Sequence, residues 1–146
     1  MNVSEAKELL SYHSGRNSDI ENPKWGNGFL GSLRPFTGTL KEENFIEVME
    51  CMKVLAAEFG KDLLDRNLIA DITGIIHMTR AWSEPEGMLG RNHLLSEEQN
   101  SLLMEWIFIM EEALCYLLDC CEEEAFLDYE EYLCERNIKV SDKLDL

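Results

Sequence analysis

The stretch that decides the fold runs from Ser96 to Cys121 and reads SEEQNSLLMEWIFIMEEALCYLLDCC. It opens with a capping box, because the Ser96 hydroxyl can accept a bond from the third helical N–H while Gln99 reaches back. Apolar residues then cover more than half of the helix circumference, which predicts the central helix of a bundle. These residues are Leu102, Leu103, Trp106, Ile107, Ile109, Met110, Ala113, Leu114, Leu117, Leu118 and Cys121.

Three further segments with apolar stripes precede this helix in the chain. Residues 4–12 predict a short helix. Thr39 and Glu42 have capping-box spacing, and the stripe behind them predicts a helix that ends at Gly60. The stripe of residues 62–82 predicts another helix. Each of these helices has one apolar face to pack against the central one.

Two segments do not fit a simple helical period. Residues 13–38 are rich in turn-forming residues, yet they contain large apolar side chains, so we expect a long loop packed across the helices. Residues 123–136 have helical spacing and either continue the preceding helix or bend away from it. No strand-like alternation and no internal repeat is visible. The sequence therefore predicts an all-α fold, a single domain over residues 1–146 with four to five helices.

Negative charge is concentrated in the acidic C-terminal region, residues 96–146. This region has 15 Asp and Glu against 3 Lys and Arg, a net charge of −12, while the whole chain has −16. An acidic surface repels nucleic acid and anionic membranes, and it accelerates encounter with a positively charged partner. The charge therefore predicts a basic protein as the partner, with no binding to nucleic acid or membrane. A purely solubilising face is the alternative interpretation.

The densest part of this region mixes carboxylates with the aromatic residues Phe126, Tyr129 and Tyr132. Charges that steer a partner, around rings that supply desolvated contact, are what an interface with a basic protein requires. Helical spacing alone leaves open which rings pack onto the bundle instead. The predicted partner-binding residues are Glu122, Glu123, Glu124, Asp128, Tyr129, Glu130, Glu131 and Glu135.

No set of residues predicts catalysis or metal binding. The histidines, His13, His77 and His93, lack H-x-x-x-H spacing, and none has the preceding Glu of a di-iron E-x-x-H motif. We expect His77 to be a hydrogen-bonded histidine near the core. Phosphate-binding and nucleophile motifs are absent from the sequence. We therefore predict a protein that is not an enzyme and has no catalytic, metal-binding or cofactor-binding residues.

Cysteine usage and hydropathy predict a cytoplasmic location. The five cysteines are odd in number and include no C-x-x-C pair, which argues against disulfides, a zinc ribbon or a redox motif. The first residues lack the basic and apolar regions of a signal peptide. The most apolar stretch, 102–121, is interrupted by four carboxylates and does not predict a membrane span.

Two segments dense in Trp, Gly and Arg lie at residues 11–35 and 77–92. The first contains Trp25, the run Gly28-Phe29-Leu30-Gly31 and Arg34, and the second contains Arg80, Trp82, Gly87-Met88-Leu89-Gly90 and Arg91. A small acidic helical chain with such segments resembles the bacterial immunity proteins of polymorphic-toxin and contact-dependent growth inhibition systems. That resemblance implies a protein that binds a nuclease toxin and blocks its active site or nucleic-acid channel. A structural alternative is that the arginines brace the loop by bonding its carbonyl groups.

Functions of different classes follow from these observations. The first is an immunity protein that neutralises a basic toxin domain, which the resemblance implies is a nuclease, and that is a monomer or weak dimer when free. The second is a helical regulatory or adaptor protein that forms a homodimer or binds a partner helix through the apolar face of residues 102–121. An enzyme of unrecognised type acting on a small molecule is the third.

Overall fold

Helices account for the regular structure of residues 1–145, the part of the chain that a computed structural model describes. This confirms the predicted all-α class, and five of the helices have nine or more residues. Two 3-10 turns, at Ala56–Gly60 and Val140–Asp142, complete the set. In chain order the helices are α1 (Val3–His13), α2 (Pro23–Asn27), α3 (Phe29–Leu33), α4 (Glu42–Val54), α5 (Arg66–Ser83), α6 (Met88–Arg91), α7 (Glu97–Leu118), α8 (Glu122–Ala125) and α9 (Leu127–Glu135).

Helix α7 is the central helix, as its sequence predicts. Its capping box is present: the Ser96 hydroxyl accepts from the Gln99 N–H at 3.1 Å, and the Gln99 side chain accepts from the Ser96 N–H at 3.0 Å. Trp106 is 1% exposed and stacks on Phe45 of α4, with ring centroids 5.4 Å apart. The helix contacts α5, α8 and α9. Most of its apolar face is therefore buried, and Leu118 at the end of the helix is exposed.

The capping box predicted at Thr39 is wrong. Helix α4 begins at Glu42 after Lys41, with no side-chain cap. The carbonyl of Gly38 instead accepts a hydrogen bond of 2.8 Å from the side-chain amide of Gln99, which ties the entry of α4 to the first turn of α7. This contact is long-range, and it does not cap the first N–H groups of α4.

Two further boundaries differ from the predicted ones. The helix expected to end at Gly60 ends at Val54, and a 3-10 turn occupies the remaining residues. The helix expected over residues 62–82 begins only at Arg66, because the Asp65 carboxylate caps the N–H groups of Asn67 and Leu68.

The predicted packed loop of residues 13–38 is confirmed, and it contains the short helices α2 and α3. Phe29, Leu30 and Leu33 are buried in the core. His13 holds the loop in place, because its Nδ1 accepts a 3.0 Å bond from the Phe29 N–H. Its Nε2 therefore carries the proton and donates to Glu47 of α4 at 2.8 Å.

The acidic segment bends away from α7 and does not continue it. Helix α7 ends at Leu118, and Cys120 has a positive φ of 58°, which breaks the helical path. Helices α8 and α9 then return along the domain, and α9 contacts α7. Residues 123–136 therefore do not continue α7, which the sequence alone left open.

Candidate functional site

The predicted acidic residues lie on the outer faces of α8 and α9. All seven are exposed, and the only ion pair that any of them makes among residues 1–145 is a 3.9 Å contact between Glu135 and Arg136. The charge of this surface is therefore left almost entirely unneutralised. The seven residues are Glu122, Glu123, Glu124, Asp128, Glu130, Glu131 and Glu135.

Tyr129 is the exception, and its prediction as a partner-binding residue is wrong. Its side chain is 0% exposed and packs edge-on against Phe45, with ring centroids 5.8 Å apart. Its hydroxyl donates a hydrogen bond of 3.0 Å to Glu50 of α4. A short helix that must adhere to the domain buries its aromatic face, and Tyr129 lies on that face of α9.

Tyr132, on the same face, fixes α9 through a chain of hydrogen bonds. The Trp106 indole N–H donates to the Tyr132 hydroxyl at 2.8 Å, and that hydroxyl donates to Glu42 at 2.7 Å. Burial, together with the neighbouring Glu42, raises the pKa of the Tyr132 phenol, so the phenol remains protonated and able to donate. Lys143 also bonds Glu42 at 2.9 Å, and Arg136 lies over the Tyr132 ring at 4.0 Å. These contacts therefore hold the acidic helix α9 in a fixed position against the core.

Phe108 of α7 supplies the exposed ring that Tyr129 does not. It is 53% exposed and lies in a groove between α7 and α9 with a volume of about 240 Å³. Ile109 and Tyr132 also line this groove. We call it the acidic groove, because the other residues that line it are the carboxylates Glu105, Asp128, Glu131 and Glu135.

The sequence carried a signal for Phe108 that the prediction did not use. Within α7 it is a large apolar residue outside the buried stripe, and such a residue has to face solvent or a partner. A second, more open depression is lined by Lys53, Cys120, Cys121 and Phe126 and by the carboxylates Glu122, Glu123, Glu124 and Glu130. All seven exposed carboxylates thus border one of two concave surfaces.

The two Trp, Gly and Arg segments meet at another part of the surface. They form a cleft of about 330 Å³ that we call the tryptophan cleft. The residues that shape it are Trp25, Leu30, Gly31, Arg34, Met78 and Trp82, with Ser14 and Gly15 beside them. The Arg34 guanidinium lies 6.0 Å from the centroid of the Trp82 ring.

The arginines do not brace the loop as the structural alternative expected. Among the residues described, neither Arg34, Arg80 nor Arg91 donates a hydrogen bond to a loop carbonyl. Arg80 pairs with Glu111 of α7 at 2.6 Å. Arg16 ties the loop to α5 instead, through a 3.0 Å ion pair with the buried Asp71.

The prediction for His77 is also wrong, because this side chain is exposed on the outer face of α5. The buried histidine is His13, whose two ring nitrogens are both occupied by hydrogen bonds. Its partner Glu47 has a pKa below the ordinary range, because the hydrogen bond from His13 outweighs the opposing effect of burial. This pair fastens α1, α3 and α4 together.

Within residues 1–145, no three His, Cys, Asp or Glu side chains come together in a way that could hold a metal ion. None of the helices in this part of the chain combines the length and the hydropathy needed to cross a bilayer. Comparison with protein family models, with curated proteins and with solved structures finds no match to the chain.

Proposed function

We propose that this protein binds a basic protein through the acidic groove and acts in the cytoplasm as an immunity protein. Its partner is then a toxin domain, and the resemblance noted in the sequence makes a nuclease the first candidate. The observation that carries the proposal is an exposed aromatic ring, Phe108, set beside two carboxylates, Asp128 and Glu131, that make no ion pair among residues 1–145. Arg136 pairs with the other two carboxylates of the groove, with Glu105 at 2.7 Å and with Glu135 at 3.9 Å.

The electrostatics of the surface favour a protein partner that is basic. Asp128, Glu131 and Glu135 follow one another along the groove side of α9. Unpaired exposed charges of one sign raise the rate of encounter with a partner of the opposite sign. Nucleic-acid-cleaving domains carry basic surfaces that meet phosphate, and an acidic face can occupy such a surface in place of the substrate.

The packing around Phe108 also favours a protein interface at this groove. Interfaces derive much of their affinity from a few rings that become desolvated at the centre of a charged rim. Phe108 has this setting, and Tyr132 beneath it is already immobilised by Trp106 and Glu42. Little side-chain entropy would therefore be lost in α9 when a partner binds.

The apolar face of residues 102–121 gives less support to the homodimer alternative. Leu103, Trp106, Met110 and Leu114 of that face are buried within the domain, so they offer no free surface to a second chain. The exposed apolar residues that remain on α7 are Phe108, Tyr116 and Leu118. Light scattering on the isolated protein separates a monomer from the stable dimer that this alternative requires.

An immunity protein should lie immediately downstream of a toxin gene, so the decisive experiment first looks for that gene and then uses the toxin domain it encodes. The triple variant Asp128→Lys, Glu131→Lys and Glu135→Lys, in which all three changes lie in the acidic groove, should slow association with that domain at low salt. Raising the salt should shrink the difference from wild type, because the Debye length is about 8 Å at physiological ionic strength. Stopped-flow association and protection of the toxin's substrate are the two measurements.

A matched control variant changes the net charge by the same amount at three carboxylates outside the acidic groove. Glu21, Asp62 and Glu86 are exposed and make no ion pair among the described residues, so their reversal to Lys gives the same net charge. If both triple variants slow association equally, net charge alone acts and the acidic groove is not the interface. A neighbouring toxin that is itself acidic, or that this protein does not inhibit, would refute the proposed function.

A further inference from the structure

The tryptophan cleft has the opposite charge to the rest of the surface. Arg34 is the only charged residue that lines it, in a protein with 29 Asp and Glu. The acidic groove, by contrast, has four carboxylates around a smaller volume. We propose that the tryptophan cleft is a binding site for a small organic carboxylate with a flat apolar body, which packs on the indole rings while Arg34 holds its carboxylate.

The walls of the cleft are built from two similar turns. One contains Trp25 and Gly28-Phe29-Leu30-Gly31, and the other contains Trp82 and Gly87-Met88-Leu89-Gly90. A Cβ atom on Gly31 would overlap the backbone carbonyl of Trp25, and one on Gly87 would overlap the carbonyls of Ala81 and Trp82. Glycine is thus required at each turn by close approach of the backbone. The backbone that carries each tryptophan is therefore closely packed, which favours a rigid stacking site.

Arg34, the charged donor at the cleft, lacks an acceptor. Arg34 is exposed and, among the residues described, makes no ion pair and no side-chain hydrogen bond, while its guanidinium lies over the Trp82 ring. A guanidinium that lies over a ring keeps its N–H edge free, and that edge matches a carboxylate through two parallel hydrogen bonds. The Trp25 indole N–H is buried and has no acceptor within residues 1–145.

The size of the cleft fits a small molecule. At about 330 Å³ it lies at the lower end of the range of about 300–1,000 Å³ that ligand pockets occupy. Leu30 and Met78 add aliphatic surface to the two indole rings. A bicyclic aromatic acid is small enough to fit within such a space. The cleft shares no residue with the acidic groove, so this inference stands apart from the proposed function.

Naphthoate is a suitable probe, and naphthylmethanol is its uncharged analogue. The three tryptophans give three indole N–H signals in a proton–nitrogen correlation spectrum, so each ring can be followed separately. Naphthoate should shift the signals of Trp25 and Trp82 and leave that of Trp106, which is buried and bonded to Tyr132, unchanged. For a probe of this size we expect a dissociation constant of ~1 mM or tighter.

The variant Arg34→Gln tests the role assigned to the charge. It should weaken naphthoate binding by ~10-fold or more, equivalent to about 1.4 kcal/mol, and leave naphthylmethanol binding unchanged. Arg66→Gln is the control, because Arg66 is also exposed and without an ion pair but lies outside the cleft. The unshifted Trp106 signal reports that each variant is folded.

Three results would overturn the inference. One is the absence of saturable naphthoate binding at ~10 mM, ten times the weakest affinity expected for a probe of this size. Another is equal affinity for naphthoate and naphthylmethanol, which would leave no role for Arg34. The third is a naphthoate affinity that Arg34→Gln and Arg66→Gln lower by the same factor, since only the net charge would then matter.

Discussion

Replacing Tyr132 by Phe removes the hydroxyl whose hydrogen bonds attach the acidic helix α9 to the core. That hydroxyl accepts from the Trp106 indole at 2.8 Å and donates to the Glu42 carboxylate at 2.7 Å. Phe retains the ring, which is 2% exposed and packs edge-on against Phe45 with centroids 5.1 Å apart. The substitution therefore changes hydrogen bonding with little change in packing.

The expected loss of unfolding free energy depends on which hydrogen bonds Trp106 and Glu42 retain in the variant. The Trp106 N–H becomes an unpaired donor in the core, and a stranded buried donor costs about 1–3 kcal/mol. Glu42 retains its bond to Lys143 at 2.9 Å, so the loss on that side adds only about 1 kcal/mol. We expect Tyr132→Phe to lower the free energy of unfolding by about 2–4 kcal/mol.

Tyr129→Phe is the matched control on the same face of α9. Its hydroxyl donates a single bond, to Glu50 at 3.0 Å, and its removal leaves no donor unpaired. We expect this variant to lose about 1 kcal/mol. Urea unfolding followed by circular dichroism measures both free energies, and the melting temperature should fall by roughly 2–4 °C per kcal/mol for a chain of this size. If Tyr132→Phe loses no more than Tyr129→Phe, the hydrogen-bond chain does not fix α9 and the reasoning fails.

Three further outcomes are expected. Leu114→Ala, at a side chain 6% exposed, should lower the free energy of unfolding by about 2–5 kcal/mol, whereas Leu63→Ala, at 89% exposed, should change it by under about 0.5 kcal/mol; urea titration compares the two. Because His13 lowers the pKa of Glu47, that carboxylate stabilises the protein above the ordinary carboxyl pKa of 4.5 and loses this effect as the pH falls through the folded value. Glu47→Gln should therefore show a smaller acid-induced loss of unfolding free energy than wild type between pH ~6 and pH ~3, and an equal loss would contradict the pairing. Burial raises the pKa of the Cys51 thiol, so mass spectrometry should find Cys51 modified by a thiol reagent only after unfolding and later than the exposed Cys115, Cys120 and Cys134.

Helix α7 could be predicted from the sequence because everything that defines it is local. Its capping box involves Ser96 and Gln99, and its stripe repeats within one helix. The box at Thr39 has the same spacing, yet α4 begins without it, and the neighbouring Gly38 carbonyl accepts from Gln99, a residue 61 positions away. A local pattern cannot include a partner at that distance. The position of α9 was undetermined for the same reason, since the bonds that place it reach back to Trp106 and Glu42.

For the candidate site, the sequence predicted which carboxylates are exposed, but it predicted only in part which aromatic side chains are. A carboxylate without a partner must remain hydrated, so the exposure of Asp128 and Glu131 follows from the sequence alone. An aromatic ring is stable in either setting, and helical spacing did not distinguish the buried Tyr129 from a contact residue. The exposed ring, Phe108, comes from another helix altogether. The tryptophan cleft required two segments about fifty residues apart to meet, which no spacing within either one predicts.

The way charge is arranged on α9 favours binding over solubility as its role. Glu131 and Glu135 lie toward the C-terminal end, where the helix dipole disfavours negative charge, and they stand four residues apart, where like charges repel. The helix also lacks a side-chain cap. It is stabilised by Tyr129 and Tyr132 in spite of these charges, because their rings and hydroxyls fasten it to the core. Solubility could be maintained by the same number of charges dispersed over the domain, without this local repulsion. On this firmly anchored helix Asp128, Glu130 and Glu131 make no ion pair among residues 1–145, and the proposed basic partner would supply the positive charge that they lack.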